Sequence, residues 1–332
     1  MLSLYKKTRN WKTFGKKLAV ACIVICLASI IIFVGYQQSS IYSGTVEDSA
    51  TITISATTNF GKSILFSKEL TIEGGESAMD VLNEVADITC IYGGGFVESI
   101  NGVKSQYAGG EGERKDWFYY INGMLASVGA TQYKLHSGDI EHWDFHDWRL
   151  DRMVTAIIGD YPEPFLHGYN GRVAETSIVY ADEFYEAATG LQQSLEKQGV
   201  SISMKRFEEL SEYEKRSHNL ILIDTYENEL IAELNANADQ LGWFIEFDGK
   251  YIITLDETGE KDTSFDHGGV ILATQNPWNP KGNWHCENVV WVVTGVTHED
   301  VVTASEILIT SNEEIKNCTS IILAKRTIYK VP

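Results

Sequence analysis

Hydrophobic positions along this chain follow three different rhythms, and each predicts a different kind of element. The first is continuous. Residues 18–36 read LAVACIVICLASIIIFVGY, nineteen positions without a charge. At about 1.5 Å rise per residue, a helix of that length just crosses a hydrocarbon core of about 30 Å. Lys16 and Lys17 stand directly before it, with Lys6, Lys7, Arg9 and Lys12 behind them. The positive-inside rule then puts residues 1–17 in the cytoplasm and residues 37–332 outside, as a single-pass cell-membrane protein. Cleavage is the competing reading. It would need a shorter apolar run and a small-x-small site, which Gly35, Tyr36, Gln37 and Gln38 do not form. A lipoprotein would carry its cysteine after the run, whereas Cys22 and Cys26 lie inside it. Residues 18–36 are therefore read as a retained anchor, followed by a polar spacer over 37–50.

The second rhythm, over 51–150, alternates with a period of two and is interrupted once by a helical period. Ile52 and Ile54 against Thr51, Thr53 and Ser55 predict a half-buried strand. Asn59–Gly61 is a turn, and Ser63–Ile72 a second strand. Over Glu76–Ala86, Ala78, Val81, Leu82 and Val85 share one helical face, with Ser77 and Asp80 placed as a capping box. Strands follow at Phe96–Ile100, Trp117–Ile121 and Ile140–Phe145. Gly-rich loops lie at Gly93–Gly95 and Ala108–Gly112, and Asn122-Gly123 is a hairpin turn signal. Four or five strands with one helix predict a small α+β domain of β-grasp type.

The third rhythm, over 151–332, sets short, continuous, β-branched runs against amphipathic helices. The runs are Val154–Ile158, Leu220–Ile223, Gly269–Ala273 and Val289–Val293, and the helices Asp182–Lys197, Glu227–Gln240 and His298–Leu308. Strands apolar on both sides and alternating with helices predict a parallel sheet covered on both faces, a doubly wound α/β domain. Thr297 with Asp300 caps the last helix, and Asp248-Gly249 turns an inserted hairpin.

Charge narrows the function classes. The chain has 27 Lys and Arg against 46 Asp and Glu, a net charge of −19. Six of the basic groups lie in residues 1–17, so everything beyond carries −25. So acidic an exterior repels phosphate backbones and excludes nucleic acid as a partner. Outside the anchor only Cys90, Cys286 and Cys318 remain, enough for at most one internal bridge, and no zinc-ligand spacing occurs.

Candidate chemistry concentrates in 116–149, where Trp117, Trp143, Trp148, Phe118, Phe145, Tyr119, Tyr120 and Tyr133 crowd together. Aromatics at that density suit a flat ligand, although one strand face must be core. Trp143 and Phe145 share a face, and His142, Asp144 and His146 share the other. The His/Asp face is read as solvated and metal-free, since ligands two apart on a strand lie about 6.6 Å apart. The strand-end loops of 151–332 carry neither GxGxxG nor a P-loop, and no GxSxG elbow occurs. Trp278 and Trp284 in QNPWNPKGNWHCEN are read as a packed loop in preference to a carbohydrate or partner platform. No catalytic constellation is placed by spacing, so the chain is read as a non-enzyme without a cofactor.

These residues also carry a resemblance. YGGGFVESINGV and DWFYYINGMLASVGATQYKLHSGDIEHWDF resemble the bacterial transcobalamin-like C-terminal domain family, through Gly95-Phe96 with Ile100 and Gly102, Trp117 to Gly123, and Tyr133, Leu135, Gly138 and Asp139. The resemblance covers about 100 residues. It implies corrinoid binding, with Tyr92, Phe96, Trp117, Tyr119 and Trp143 as ligand contacts. The α/α-barrel that completes the site in the vertebrate carriers has no counterpart here. Residues 153–332 are more faintly similar to an α/β module of prokaryotic cell-surface and S-layer proteins, which implies an interaction role. The expectation is a membrane-anchored extracellular protein that captures a corrinoid for uptake, with residues 151–332 supplying the opposing surface or docking a transporter. The alternative is a structural or adhesive surface protein binding cell-wall glycan or a protein.

Overall fold

The structure, a computed structural model, describes residues 49–91, 95–107, 112–149 and 151–332. The anchor at 18–36, the basic tail and nearly all of the spacer lie outside the described residues, as does Tyr92. Among the described residues no helix is long and apolar enough to cross a membrane. They form an α+β fold, mostly sheet with few helices.

The first half begins with strands β1 (Ser49–Thr58) and β2 (Ser63–Glu73), joined through left-handed backbone at Asn59, Phe60 and Gly61. Helix α1 (Ala78–Val85) follows, and its Ser77/Asp80 capping box forms as the spacing predicts, burying Ala78, Val81 and Leu82. Then come β3 (Ile88–Ile91), β4 (Phe96–Ile100), β5 (Val103–Lys104), β6 (Lys115–Ile121), β7 (Met124–Leu125) and β8 (Ile140–Asp147). The main sheet has the order β2-β1-β8-β6-β7, with β1 and β8 parallel and the other pairs antiparallel. Ile52, Ile54, Trp117, Trp143 and Phe145 on one face pack with the α1 residues in a single core. The β6–β7 hairpin turns at Asn122 (φ 52°) and Gly123 (φ 74°), the pair that a type I′ turn requires.

The second half holds β9 (Thr176–Tyr180), α2 (Tyr185–Lys197), β10 (Ile202–Arg206), α3 (Glu212–Ser217), β11 (Asn219–Ile223) and α4 (Glu229–Asn235). It continues with β12 (Ile245–Asp248), β13 (Tyr251–Leu255), β14 (Lys261–Phe265), β15 (Gly269–Gln275), β16 (Val289–Gly295), α5 (His298–Thr310), β17 (Ser320–Ala324) and β18 (Thr327–Val331). Its large sheet has the order β10-β9-β11-β16-β15-β17-β18. Both faces are covered, one by α2 and α5, the other by α4 and the β12–β13 hairpin.

Two expectations for this sheet are corrected. It is mixed: β10, β9, β11 and β16 are parallel, but β15 runs antiparallel to both β16 and β17. No helix lies between β15 and β16, and a parallel pair needs such a crossover. The run Val154–Ile158 is not a strand of this sheet. Its backbone serves the first half instead, where Leu125 N–H donates to Thr155 O (2.9 Å) and Ile157 N–H to Gly123 O (2.8 Å). Gln275 Nε2 adds bonds to Leu125 O and Thr155 O, both 3.1 Å, and residues 48–332 form one compact unit.

Cys90, Cys286 and Cys318 are free thiols, the first exposed and the other two buried. In the folded full-length chain, an aromatic disulfide reagent is expected to modify Cys90 within minutes. Cys286 and Cys318 should react only on unfolding, and peptide mapping that shows either labelled at the native rate would contradict this packing.

Candidate functional site

The motif residues behind the family resemblance form a buried network that joins the halves. Asn122 Nδ2 donates to Asp139 Oδ1 (2.8 Å) and to Gly168 O (2.7 Å), while its Oδ1 accepts from Ile140 N (2.7 Å). Asp139 Oδ2 accepts from Tyr133 Oη (3.2 Å) and His136 N (2.9 Å), and Tyr133 Oη in turn accepts from Asn170 N (2.8 Å). Gly123 N donates to Asp160 Oδ2 (3.0 Å). Gly138 has φ 88°, and a Cβ there would stand 2.3 Å from the His167 ring. These residues therefore fix the segment 167–170 against the first sheet.

The predicted ligand contacts are placed as follows. Trp117 and Trp143 are 5 % and 3 % exposed, in the core under α1. Trp117 stacks obliquely on Phe145 (5.4 Å) and donates to Val103 O (3.0 Å); Trp143 donates to Glu141 Oε1 (2.6 Å). Phe96 is half-buried at the start of β4. Tyr119 is half-buried, stacks on Trp143 at 4.9 Å and donates to Val128 O. Burial pushes its phenol upward, with smaller contributions from Tyr169, Glu141 and Cys286.

The His142/Asp144/His146 face is not solvated, contrary to expectation. All three residues are buried, covered by the end of β1 and the turn after it and by Asp160 from the chain after β8. Asp144 accepts from Thr57 Oγ1 (2.5 Å), Phe60 N (3.0 Å), Gly61 N (3.0 Å) and His146 Nδ1 (2.8 Å). His142 bridges Thr57 Oγ1 (2.8 Å) and Asp160 Oδ1 (3.0 Å). The His146 ring is sandwiched between Phe60 (4.4 Å) and Phe118 (4.6 Å). Burial alone would raise the Asp144 carboxyl, but the His146 and Thr57 bonds outweigh it and hold it below the usual carboxylate range. Burial opposes the His142 imidazolium, yet Asp160 and Asp144 leave it above the ordinary histidine value. Among the described residues no group of three or more His, Cys, Asp or Glu could hold a metal ion.

A serine–histidine–acid alignment also occurs, with Ser177 Oγ 2.9 Å from His218 Nδ1 and His218 Nε2 3.1 Å from Glu175. Ser177 is fully buried in the middle of β9 and also bonds Ser203 Oγ (3.0 Å), so no substrate reaches its hydroxyl.

A surface cleft of about 790 Å³, of ligand size, lies in the second half. Its walls are the segment 169–174, helix α3 with Ser217, and the loop 279–287 between β15 and β16. Side-chain amides hold that loop in shape. Asn279 Nδ2 donates to Asn288 Oδ1 (2.7 Å), Asn288 Nδ2 to His218 O (2.6 Å), and Gln275 Oε1 accepts from Cys286 N (2.9 Å). Of the two loop tryptophans, Trp278 packs, donating to Glu233 Oε1 (2.9 Å) under Lys215 (4.3 Å), whereas Trp284 is 49 % exposed. Burial pushes the Cys286 thiol up to about 11, so it stays protonated at neutral pH and is a weak nucleophile. None of the cleft residues 169–174 or 212–217 stood out in the sequence. The Asn170-Gly171 dipeptide was the available signal, since it turns the Tyr169–Arg172 bridge.

Residues 75–147 match the profile of DUF4430, a domain of unknown function. A comparison with curated proteins finds no match. Among solved structures, haptocorrin in complex with Cbi is similar at 13 % identity and a TM-score of 0.27, over 32 % of this chain and 27 % of that one. The match thus spans about a quarter of haptocorrin. A protein of Ruminococcus gnavus ATCC 29149 to which metal binding is ascribed is similar at 13 % identity and a TM-score of 0.24, over 30 % of this chain and 99 % of that one.

Proposed function

We propose that the chain is a membrane-anchored extracellular binding protein, without catalytic activity, that captures a corrinoid-class ligand for an uptake system. In this reading residues 18–36 anchor it with 37–332 outside. Residues 51–150 form a β-grasp-like, transcobalamin-like domain, and 151–332 a doubly wound domain that supplies the ligand cleft or docks a transporter.

The cleft is the observation that carries the reading. Its volume of about 790 Å³ falls within the range of small-molecule sites. Corrinoids present amides around a flat ring, and cobalamin adds a phosphodiester. Asn170, Asn279, Arg172 and Tyr213 at the cleft are side chains of matching chemistry. Trp117 and Trp143, being buried, would influence a ligand only through their neighbours, whereas Tyr119 and Phe96 are half-buried. Adhesion to cell-wall glycan is the second reading, favoured by Tyr213 (74 % exposed) and Trp284 on adjoining segments.

The test is a titration of the full chain in nanodiscs with cobalamin and cobinamide, followed by absorbance and calorimetry. Binding at micromolar concentration or tighter is expected. No heat and no spectral change at millimolar corrinoid would overturn the reading, and retention on isolated cell walls would then favour the second.

A further inference from the structure

The cleft gathers cations on an otherwise strongly acidic exterior. Residues beyond the basic tail carry −25, yet Arg172, Arg216 and Lys281 converge here against Glu212 and Glu287. Two of the cations are occupied. Lys281 pairs with Glu287, and Arg216 with Glu212 at 3.5 Å. Arg172 is different. It is exposed, and its guanidinium has no ion-pair or hydrogen-bond partner among the described residues. An acidic surface normally supplies a carboxylate to such a group, so five unused donors at a ligand-sized cleft stand out.

The backbone that carries Arg172 is also held rigidly. Tyr169 and Arg172 exchange two backbone bonds (3.0 and 3.1 Å) around Asn170 (φ 53°) and Gly171 (φ 67°). Asn170 N is tied to Tyr133 Oη and Gly168 O to Asn122. A Cβ on Gly168 would meet Arg172 O at 1.9 Å, so the chain entering the turn lies in close contact with the chain leaving it. A fixed turn presenting a fork of donors lowers the ordering cost of binding, and the fork matches oxyanion geometry.

We infer that the cleft reads an oxyanion on its ligand, a phosphate ester or a carboxylate, with Arg172 as the specificity-determining residue. This rests on the cleft being the ligand site proposed above, though not on the ligand being a corrinoid. Arg216 and Lys281 are each balanced by a glutamate, which leaves Arg172 as the cleft's unbalanced cation among the described residues.

The test compares cobalamin, which carries a phosphodiester, with cobinamide, which lacks it, and glycerol 3-phosphate with glycerol, all on the full chain in nanodiscs. At low salt the chain should bind cobalamin at least tenfold more tightly than cobinamide. Arg172→Ala should bring that ratio to within twofold of one while leaving cobinamide affinity unchanged, Arg172→Lys should restore part of it, and Lys250→Ala, on the exposed β12–β13 turn outside the cleft, should leave it within twofold of the unaltered chain. Equal affinity for both corrinoids overturns the inference and leaves the corrinoid reading standing. Arg172-dependent binding of glycerol 3-phosphate without corrinoid binding does the reverse. Failure of every probe overturns both.

Discussion

Replacing Asn122 by alanine is expected to cost about 4 kcal/mol of stability and to lower the melting temperature by about 10 °C. The side chain is fully buried, and each of its polar atoms is committed, to Asp139, to Gly168 O and to Ile140 N. Alanine removes the partner of Asp139 Oδ1, of Gly168 O and of Ile140 N, at about 1–3 kcal/mol for each buried group that finds no replacement, while Asp139 Oδ2 keeps Tyr133 and His136. The Asp139 carboxylate is the most serious loss, because it lies at 0 % exposure. Asn122 also sits at φ 52°, where alanine adds backbone strain of about 1 kcal/mol. Asn122→Gly relieves the strain and not the orphaned groups, so it should be the milder variant by about that amount. Thermal and urea melts of the three chains decide the matter. A shift below 2 °C for Asn122→Ala would show that water replaces the side chain and that the network does not hold the halves together. Because Gly168 O leads directly into the turn carrying Arg172, the same variant should also loosen the cleft wall, visible as faster amide exchange at Asn170.

What the sequence made legible was local. Alternation in β1, the Ser77/Asp80 and Thr297/Asp300 boxes and the Asn122-Gly123 hairpin were all readable, because their determinants lie within a few residues of one another. The antiparallel direction of β15 was not, since a continuous apolar run reads the same either way and only the connection sets direction. The polar face of β8 failed for a related reason. Alternation shows that His142, Asp144 and His146 share a side, but the groups that cover and satisfy that side are remote, Thr57 being 85 residues from His142. Aromatic density singled out 116–149, where Trp117 and Trp143 lie in a small domain's core, whereas the cleft lies on segments of unremarkable composition that meet only in space.

Asp144→Asn is expected to destabilise the chain by about 3 kcal/mol at neutral pH, and the loss should disappear in acid. The carboxylate accepts four hydrogen bonds, from Thr57, Phe60, Gly61 and His146, and an amide can accept only with its oxygen, turning its NH₂ toward donors. Phe60 and Gly61 hold φ of 59° and 75°, so the left-handed turn after β1 depends on those acceptors. Asp144 lies below its ordinary value of 3.8 when folded, so its contribution is fully present above 3.8 and is lost as pH falls through the depressed folded value. His142 lies above 6.5 when folded, so its contribution is complete below 6.5 and is lost as pH rises through the raised value. The pair therefore stabilises most between about 3.8 and 6.5, an interval on the acid side of neutrality. Urea midpoints of the unaltered chain and Asp144→Asn, measured from pH 2 to 8, test both signs. The gap between the two chains should close as pH falls below 3.8. A gap that persists unchanged at pH 2 would mean that the loss comes from shape and not from the carboxylate's charge, and would remove Asp144 from the account of acid sensitivity.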